Sequence, residues 1–123
     1  MNSGRSCNTC HEQVSTEQGG DAPLYIFAGR IFPTAHEPDD CRAPAAEGAM
    51  VEITDSKGKV VTVAANEAGN SFYKENDLVF PYQAKVVFEG RERAMALPQT
   101  NGACNDCHTA AGIQDAPGRI LLP

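Results

Sequence analysis

The stretch GAMVEITDSKG at residues 48–58, continued by KVVTVAA at residues 59–65, decides the predicted fold. Its first arm alternates, with Val51 and Ile53 on one side, which is typical of a strand with one buried face. The polar turn at residues 55–58, which ends in glycine, then reverses the chain. The stretch therefore predicts an antiparallel β-hairpin.

Strand patterns continue on both sides of this hairpin, each bounded by glycine, proline or a polar turn. They cover residues 24–32, 71–73, 83–89 and 91–97. In one of them Ala84, Val86 and Phe88 are expected to face inward. Helical periodicity is nearly absent. We predict a mainly β chain that folds as a small antiparallel β-sandwich of the immunoglobulin or transthyretin kind.

The 123 residues suffice for one core, which we place at residues 24–98. The flanks, residues 1–23 and 99–123, are expected to have little regular structure. Within the first flank, the polar and glycine-rich residues 12–23 predict a linker. Each flank carries a cysteine motif.

These motifs are CNTCH at residues 7–11 and CNDCH at residues 104–108, both of the form C-x-x-C-H. The spacing is that of c-type haem attachment, because two thiols bond to the vinyl groups on one porphyrin edge and the next residue is a histidine that can ligate the iron. We therefore predict two haem c groups. The predicted thioether residues are Cys7, Cys10, Cys104 and Cys107, and the predicted proximal ligands are His11 and His108.

Two other uses of these cysteines are open. A four-cysteine zinc site could use both pairs, but zinc ribbons separate their pairs by roughly 15–20 residues, whereas 93 residues lie between Cys10 and Cys104. A zinc site also does not explain why a histidine follows each cysteine pair. Redox dithiols usually begin a helix in a βαβ unit, which this pattern lacks. Haem attachment is the favoured interpretation.

Two irons have four axial positions, and the chain has three histidines. His36 follows the first strand, where a loop could place its imidazole over a porphyrin. The best fourth ligand is Met95, predicted to share a strand face with Arg91 and Arg93, whose guanidinium groups would contact haem propionates. Core packing is the alternative for Met95, and Met50 is the reserve candidate.

The fifth cysteine, Cys41, belongs to neither motif. A buried or free thiol is the favoured interpretation, and a bond to a neighbouring molecule is the alternative. The nearby carboxylates Glu37, Asp39 and Asp40 predict a solvated acidic loop rather than a calcium site, because the ligand spacing of a calcium loop is absent.

The formal net charge is −6, before the haem propionates are counted. Such a surface argues against nucleic acid, and it suits cationic partners or mineral surfaces. No apolar run is long enough to span a membrane. Because haem attachment takes place beyond the cytoplasmic membrane, we expect a bacterial periplasmic, extracellular or cell-surface protein whose signal peptide has been removed.

Two resemblances add to this interpretation. Residues 48–58, with the later Gly69-Asn70-Ser71-Phe72, are similar to the carboxypeptidase regulatory-like β-sandwich over about residues 29–90, which implies a fold and no activity. The two ends resemble multihaem c-type cytochromes. Together they imply an extracytoplasmic dihaem cytochrome built on a β-sandwich, with a whole domain between its haem motifs.

The expected function is one-electron transfer to a redox protein or an extracellular acceptor, without enzymatic activity. We expect His36 on one iron and Met95 on the other; the arrangement considered first pairs His11 with His36 and His108 with Met95, and which haem receives His36 stays open. Haems at both ends would allow copies to stack end to end into a filament. The alternative is a haem enzyme, or a gas or redox sensor, with an open iron position. A structural surface module is a third alternative, which leaves the motifs unexplained.

Overall fold

The computed structural model describes residues 5–17, 19, 22–38 and 41–123. This part of the chain holds one α-helix, seven β-strands and two single-turn 3-10 helices. The α-helix is α1 (Cys7–Glu17), and the 3-10 helices are Pro44–Ala46 and Cys104–Asp106. The strands are β1 (Phe27–Phe32), β2 (Met50–Thr54), β3 (Val60–Ala64), β4 (Asn70–Tyr73), β5 (Gln83–Phe88), β6 (Arg91–Ala94) and β7 (Ile120–Leu121).

The strands form two sheets, with the orders β4-β1-β7 and β3-β2-β5-β6. Every pairing is antiparallel except that of β1 with β7, which run parallel. Both sheets contribute to one apolar core, with Phe27 and Ile31 from β1 and with Val51, Ile53 and Val86 from β2 and β5. The predicted mainly β, sandwich-like fold is confirmed.

The hairpin that decided the prediction is the β2–β3 pair, in which Val51 lies opposite Val63 and Ile53 opposite Val61. Val51 and Ile53 are buried as predicted. All six predicted strands are present; five are shorter than predicted, and β4 begins one residue earlier. β7 was not predicted, because two residues are too few to show a period.

Asp55 holds the turn after β2. Its Oδ1 accepts hydrogen bonds from the N–H groups of Lys57 and Lys59, both at 2.8 Å, and its Oδ2 accepts one from Val79 at 3.1 Å. One buried carboxylate thus joins the turn to the segment that leads into β5.

The first flank differs from the prediction. The chain is helical from Cys7 to Glu17, so the predicted linker is helical at residues 12–17. The side chain of Ser6 accepts a hydrogen bond from Thr9 N–H at 3.5 Å, as a helix N-cap does. Glutamate and glutamine favour helices, but this helix buries no residue, so it shows no apolar stripe in the sequence.

The second flank is built into the sandwich. It supplies β7, and its 3-10 helix lies against β1. Ala28 N–H donates to Gly102 O at 2.8 Å. A Cβ atom at Gly102 would lie 1.8 Å from Ile26 O, so only glycine permits this approach. The haem motif at residues 104–108 is therefore anchored to the core and does not extend from it.

Candidate haem sites

Each C-x-x-C-H motif is bound to the backbone near β1 by the asparagine at its second position. Asn8 Oδ1 accepts from Tyr25 N–H at 2.9 Å, and Asn8 Nδ2 donates to Tyr25 O at 2.5 Å. Asn105 Oδ1 accepts from Arg30 N–H at 3.0 Å. The two motifs thus share one support, with the first before the start of β1 and the second near its middle.

The histidines of both motifs have the same orientation. His11 Nδ1 lies 2.5 Å from Pro23 O, and His108 Nδ1 lies 2.8 Å from Gly118 O. A carbonyl oxygen can only accept, so Nδ1 carries the proton and the lone pair of the neutral ring is on Nε2. A backbone carbonyl on Nδ1 is a common support for a metal-binding imidazole, since it fixes the tautomer and the ring orientation.

The motifs lie close together despite their separation in sequence. Burial is the main cause that raises the pKa of Cys104 to about 12, and the charge of Cys7 adds to it. Burial likewise raises the pKa of Cys7, and the charges of Cys10 and Asp106 add to it. A whole domain separates the motifs in the sequence, and the second flank brings them together in space by folding back onto β1.

A cavity of about 430 Å³ lies between α1 and the second motif. Its lining residues are Arg5, Ser6, Thr9, Cys10, Gln13, Asn105 and Asp106. The Nδ2 atom of Asn105 is buried and has no hydrogen-bond partner among the described residues. Both motifs therefore border one space.

These residues fit covalently bound haem. All four motif cysteines are free thiols, and both histidines offer Nε2. Cys104 is only 8% exposed, so its thioether would lie inside the domain against β1. By contrast, no cluster of three or more histidine, cysteine or acidic side chains in the described ranges has a metal-binding arrangement. The described residues therefore contain no preformed zinc site that would favour the four-cysteine alternative.

Aromatic and aliphatic side chains surround the first motif. The His11 ring lies 5.6 Å from that of Tyr25, and Tyr25 lies 4.8 Å from Phe72. Phe72 is 45% exposed and Leu24 is 58% exposed. Large exposed apolar side chains beside His11 are suited to cover a porphyrin face.

His36 is exposed and lies beyond the end of β1, as expected for a loop residue. Its turn is held by Arg119 of the second flank, which donates to Ala35 O and Glu37 O. This places His36 with the C-terminal segment, whereas the expected pairing joined it to His11 at the other end of β1.

Met95 lies just after β6 and packs, half-buried, against the core. The strand partners of Arg93 and Arg91 are Val86 and Phe88, and Met95 N–H donates to Ala84 O. Arg93 and Arg91 therefore lie opposite inward residues of β5, and Met95, further along the chain, faces the core. Core packing accounts for Met95, while Arg91 and Arg93 are exposed at the sheet edge. The roles of all three towards haem stay predictions.

Cys41 is exposed, so burial, one of the two forms of the favoured interpretation, does not apply. Among the carboxylates near it, Glu37 is half-buried. Asp39 and Asp40 lie outside the described residues.

Several supporting residues were not predicted from the sequence. They are the asparagines Asn8 and Asn105, the residues Pro23 and Gly118, whose carbonyl oxygens accept from the imidazoles, and Arg119. The repeated asparagine in CNTCH and CNDCH was a visible signal for the first two, since both motifs use the same residue at the same place.

No protein-family model, curated protein or solved structure matches the chain. None of the helices in the described part of the chain has the length and apolar character required to cross a membrane.

Proposed function

We propose that this protein is a dihaem c-type cytochrome that carries single electrons outside the cytoplasm. The observation that carries the proposal is the matched pair of imidazoles: His11 and His108 each follow a C-x-x-C pair, and each uses Nδ1 on a backbone carbonyl. Dithiol chemistry gives no reason for this repeated orientation, whereas an iron ligand requires a fixed Nε2.

Each haem c, attached through Cys7 and Cys10 or through Cys104 and Cys107, would supply an iron that takes up and releases one electron. The protein's own contribution is to hold the two groups. Asn8 and Asn105 fix the motifs on β1, and the carbonyls of Pro23 and Gly118 fix the imidazoles. Because the motifs border one cavity, we infer that electrons pass between the two haems within one molecule.

End-to-end assembly of copies into a filament stays part of the proposal, as does a smaller homo-oligomer. Because both motifs border one cavity, we infer that copies would meet through their haem-bearing sides. The acidic net charge of −6 favours cationic redox partners or surfaces, and it disfavours nucleic acid. We place the protein in the periplasm or at the cell surface of a bacterium.

The test is expression together with a cytochrome c maturation system, followed by intact mass measurement under denaturing conditions. We expect two haems per chain that resist acid extraction. The double substitution Cys7→Ser with Cys10→Ser leaves one haem, and so does the pair Cys104→Ser with Cys107→Ser. The control Cys41→Ser, at an exposed cysteine outside both motifs, leaves two.

Absence of covalent haem in the folded protein would overturn the proposal, and bound zinc in its place would support the four-cysteine alternative. Visible absorption spectra of the oxidised and reduced protein then distinguish an electron carrier from a haem enzyme or sensor. Low-spin iron at both sites supports electron transfer, and a high-spin site that binds added ligands supports the enzyme or sensor alternative.

A further inference from the structure

His36 lies in a turn whose backbone is held by the C-terminal segment. Glu37 N–H donates to Thr34 O at 3.4 Å, which closes the turn around His36. The Nη1 atom of Arg119 donates to the carbonyls on both sides of His36, to Ala35 O at 3.4 Å and to Glu37 O at 3.1 Å. One guanidinium group therefore fixes the backbone that presents this imidazole.

The same segment orients His108. Its Nδ1 is held by the carbonyl of Gly118, the residue immediately before Arg119. The segment itself is fixed to the end of β1, since the Arg119 guanidinium lies 4.4 Å from the centre of the Phe32 ring and Leu122 N–H donates to Phe32 O at 3.2 Å. Two adjacent residues, Gly118 and Arg119, therefore fix the ring of His108 and the backbone around His36.

His11 is held at the opposite end of β1. Its carbonyl partner, Pro23, precedes the strand, while His36 follows it. The five steps from Phe27 to Phe32 span roughly 17 Å at ~3.3 Å per residue. His36 is therefore structurally tied to the second motif, with the length of β1 between it and the support of His11.

We propose that His36 is the distal iron ligand of the C-terminal haem, opposite His108, and that Arg119 is its positioning residue. The inference rests on the proposed function, because it requires haem at the second motif. It replaces the pairing of His36 with His11. It also leaves the N-terminal iron as the one whose second ligand is not a histidine of the same chain, since the chain has three histidines.

Two single-haem proteins test the assignment. One carries Cys7→Ala, Cys10→Ala and His11→Ala, so that it keeps only the C-terminal haem. The other carries Cys104→Ala, Cys107→Ala and His108→Ala. We expect His36→Ala to convert the ferric haem of the first protein from low-spin to high-spin, as read by electron paramagnetic resonance and visible absorption, and to leave the second unchanged. Added imidazole should restore the low-spin signal in the first.

Arg119 provides a second measurement in the intact two-haem protein. Arg119→Ala should convert part of one haem to the high-spin form, because the turn is no longer held. Arg119→Lys keeps the charge and a donor group but not the planar guanidinium that lies over the Phe32 ring, so it should give an intermediate fraction. The control is Lys57→Ala, at an exposed cationic side chain in the turn between β2 and β3, which should give none. Circular dichroism checks that each variant keeps its β-sheet.

The outcomes separate this inference from the proposed function. A folded protein without covalent haem at either motif refutes both. Two covalent haems with a His36→Ala effect confined to the N-terminal haem, or with no effect on either, refute only the assignment. Loss of the low-spin signal at the C-terminal haem, rescued by imidazole, supports it, since imidazole cannot repair a merely structural defect.

Discussion

Asn8 and Asn105 occupy the same position in the two C-x-x-C-H motifs, and both hydrogen-bond to the backbone of one short stretch, at Tyr25 and at Arg30. The shared support fixes the two motifs relative to each other, because β1 is a buried strand paired on both sides. Asn8 makes two bonds from a half-buried position, whereas Asn105 is only 4% exposed. Asn105 is therefore shielded from water, so a water molecule cannot take over its hydrogen bond to Arg30.

Asn105→Ala should destabilise the fold and loosen the second motif. The substitution leaves the N–H group of Arg30 without its acceptor inside the protein, and an unsatisfied buried donor costs about 1–3 kcal/mol. Urea unfolding followed by circular dichroism measures the loss. Asn76→Ala, at an exposed position, is the control and should change stability little. Equal stability of the two variants would show that this anchor is dispensable.

Gly29→Ala should damage the second motif more than the first. A Cβ atom at Gly29 would lie 2.8 Å from Cys104 Cβ, so the strand or the motif must move. Overpacking of this kind costs about 1–3 kcal/mol. We expect a lower yield of the C-terminal haem with normal occupancy of the N-terminal one, measured by mass after haem maturation. Ala64→Val, on exposed β3, is the control, and equal loss of both haems would contradict the prediction.

The sandwich could be predicted because its signals are local. The alternation of inward and outward side chains in β2 and β5 indicates which of them face the core, and glycines and polar turns mark the strand ends. α1 could not be predicted, because a helix that buries no residue leaves no periodic pattern of apolar residues in the sequence. β7 depends on a pairing with β1 across nearly ninety residues, and two residues carry no period.

The two C-x-x-C-H motifs are visible in the sequence, but their arrangement in the fold could not be predicted. Cys104 approaches Gly29 only because the chain folds back, and nothing in the local pattern encodes that contact. The hydrogen bonds from Arg119 to the turn of His36 join residues more than eighty positions apart. Long-range contacts of this kind decide which histidine lies near which motif.

Asp55 should make stability depend on pH in acid. Burial alone would raise the pKa of its carboxyl group, but hydrogen bonds from Val79, Lys59 and Lys57 and the charge of Lys59 lower it below the ordinary value of 3.8. A lowered pKa in the folded state means that the ionised group stabilises the fold above the unfolded pKa. That contribution is lost as the pH falls through the folded value.

The measurement is thermal unfolding between neutral pH and the acid range below the ordinary aspartate pKa. Asp55→Asn should lower the melting temperature at neutral pH, since one amide oxygen replaces two carboxylate acceptors, and it should flatten the decline in acid. Glu67→Gln, at an exposed side chain, serves as the control. An unchanged acid slope in Asp55→Asn would assign the decline to other carboxylates.

Met95→Leu distinguishes core packing from iron ligation. Leucine has a similar volume and no sulfur, so a residue that only fills the core should tolerate it at a cost below about 1.5 kcal/mol. Because Met95 faces the core beside the inward residues of β5, we expect both haem spectra and both midpoint potentials to stay unchanged. Loss of a near-infrared iron–methionine band, or a lower potential at one haem, would instead establish Met95 as an axial ligand. Met50→Leu, at the exposed methionine of β2, is the matched control, and the same result there would assign the ligand to that strand.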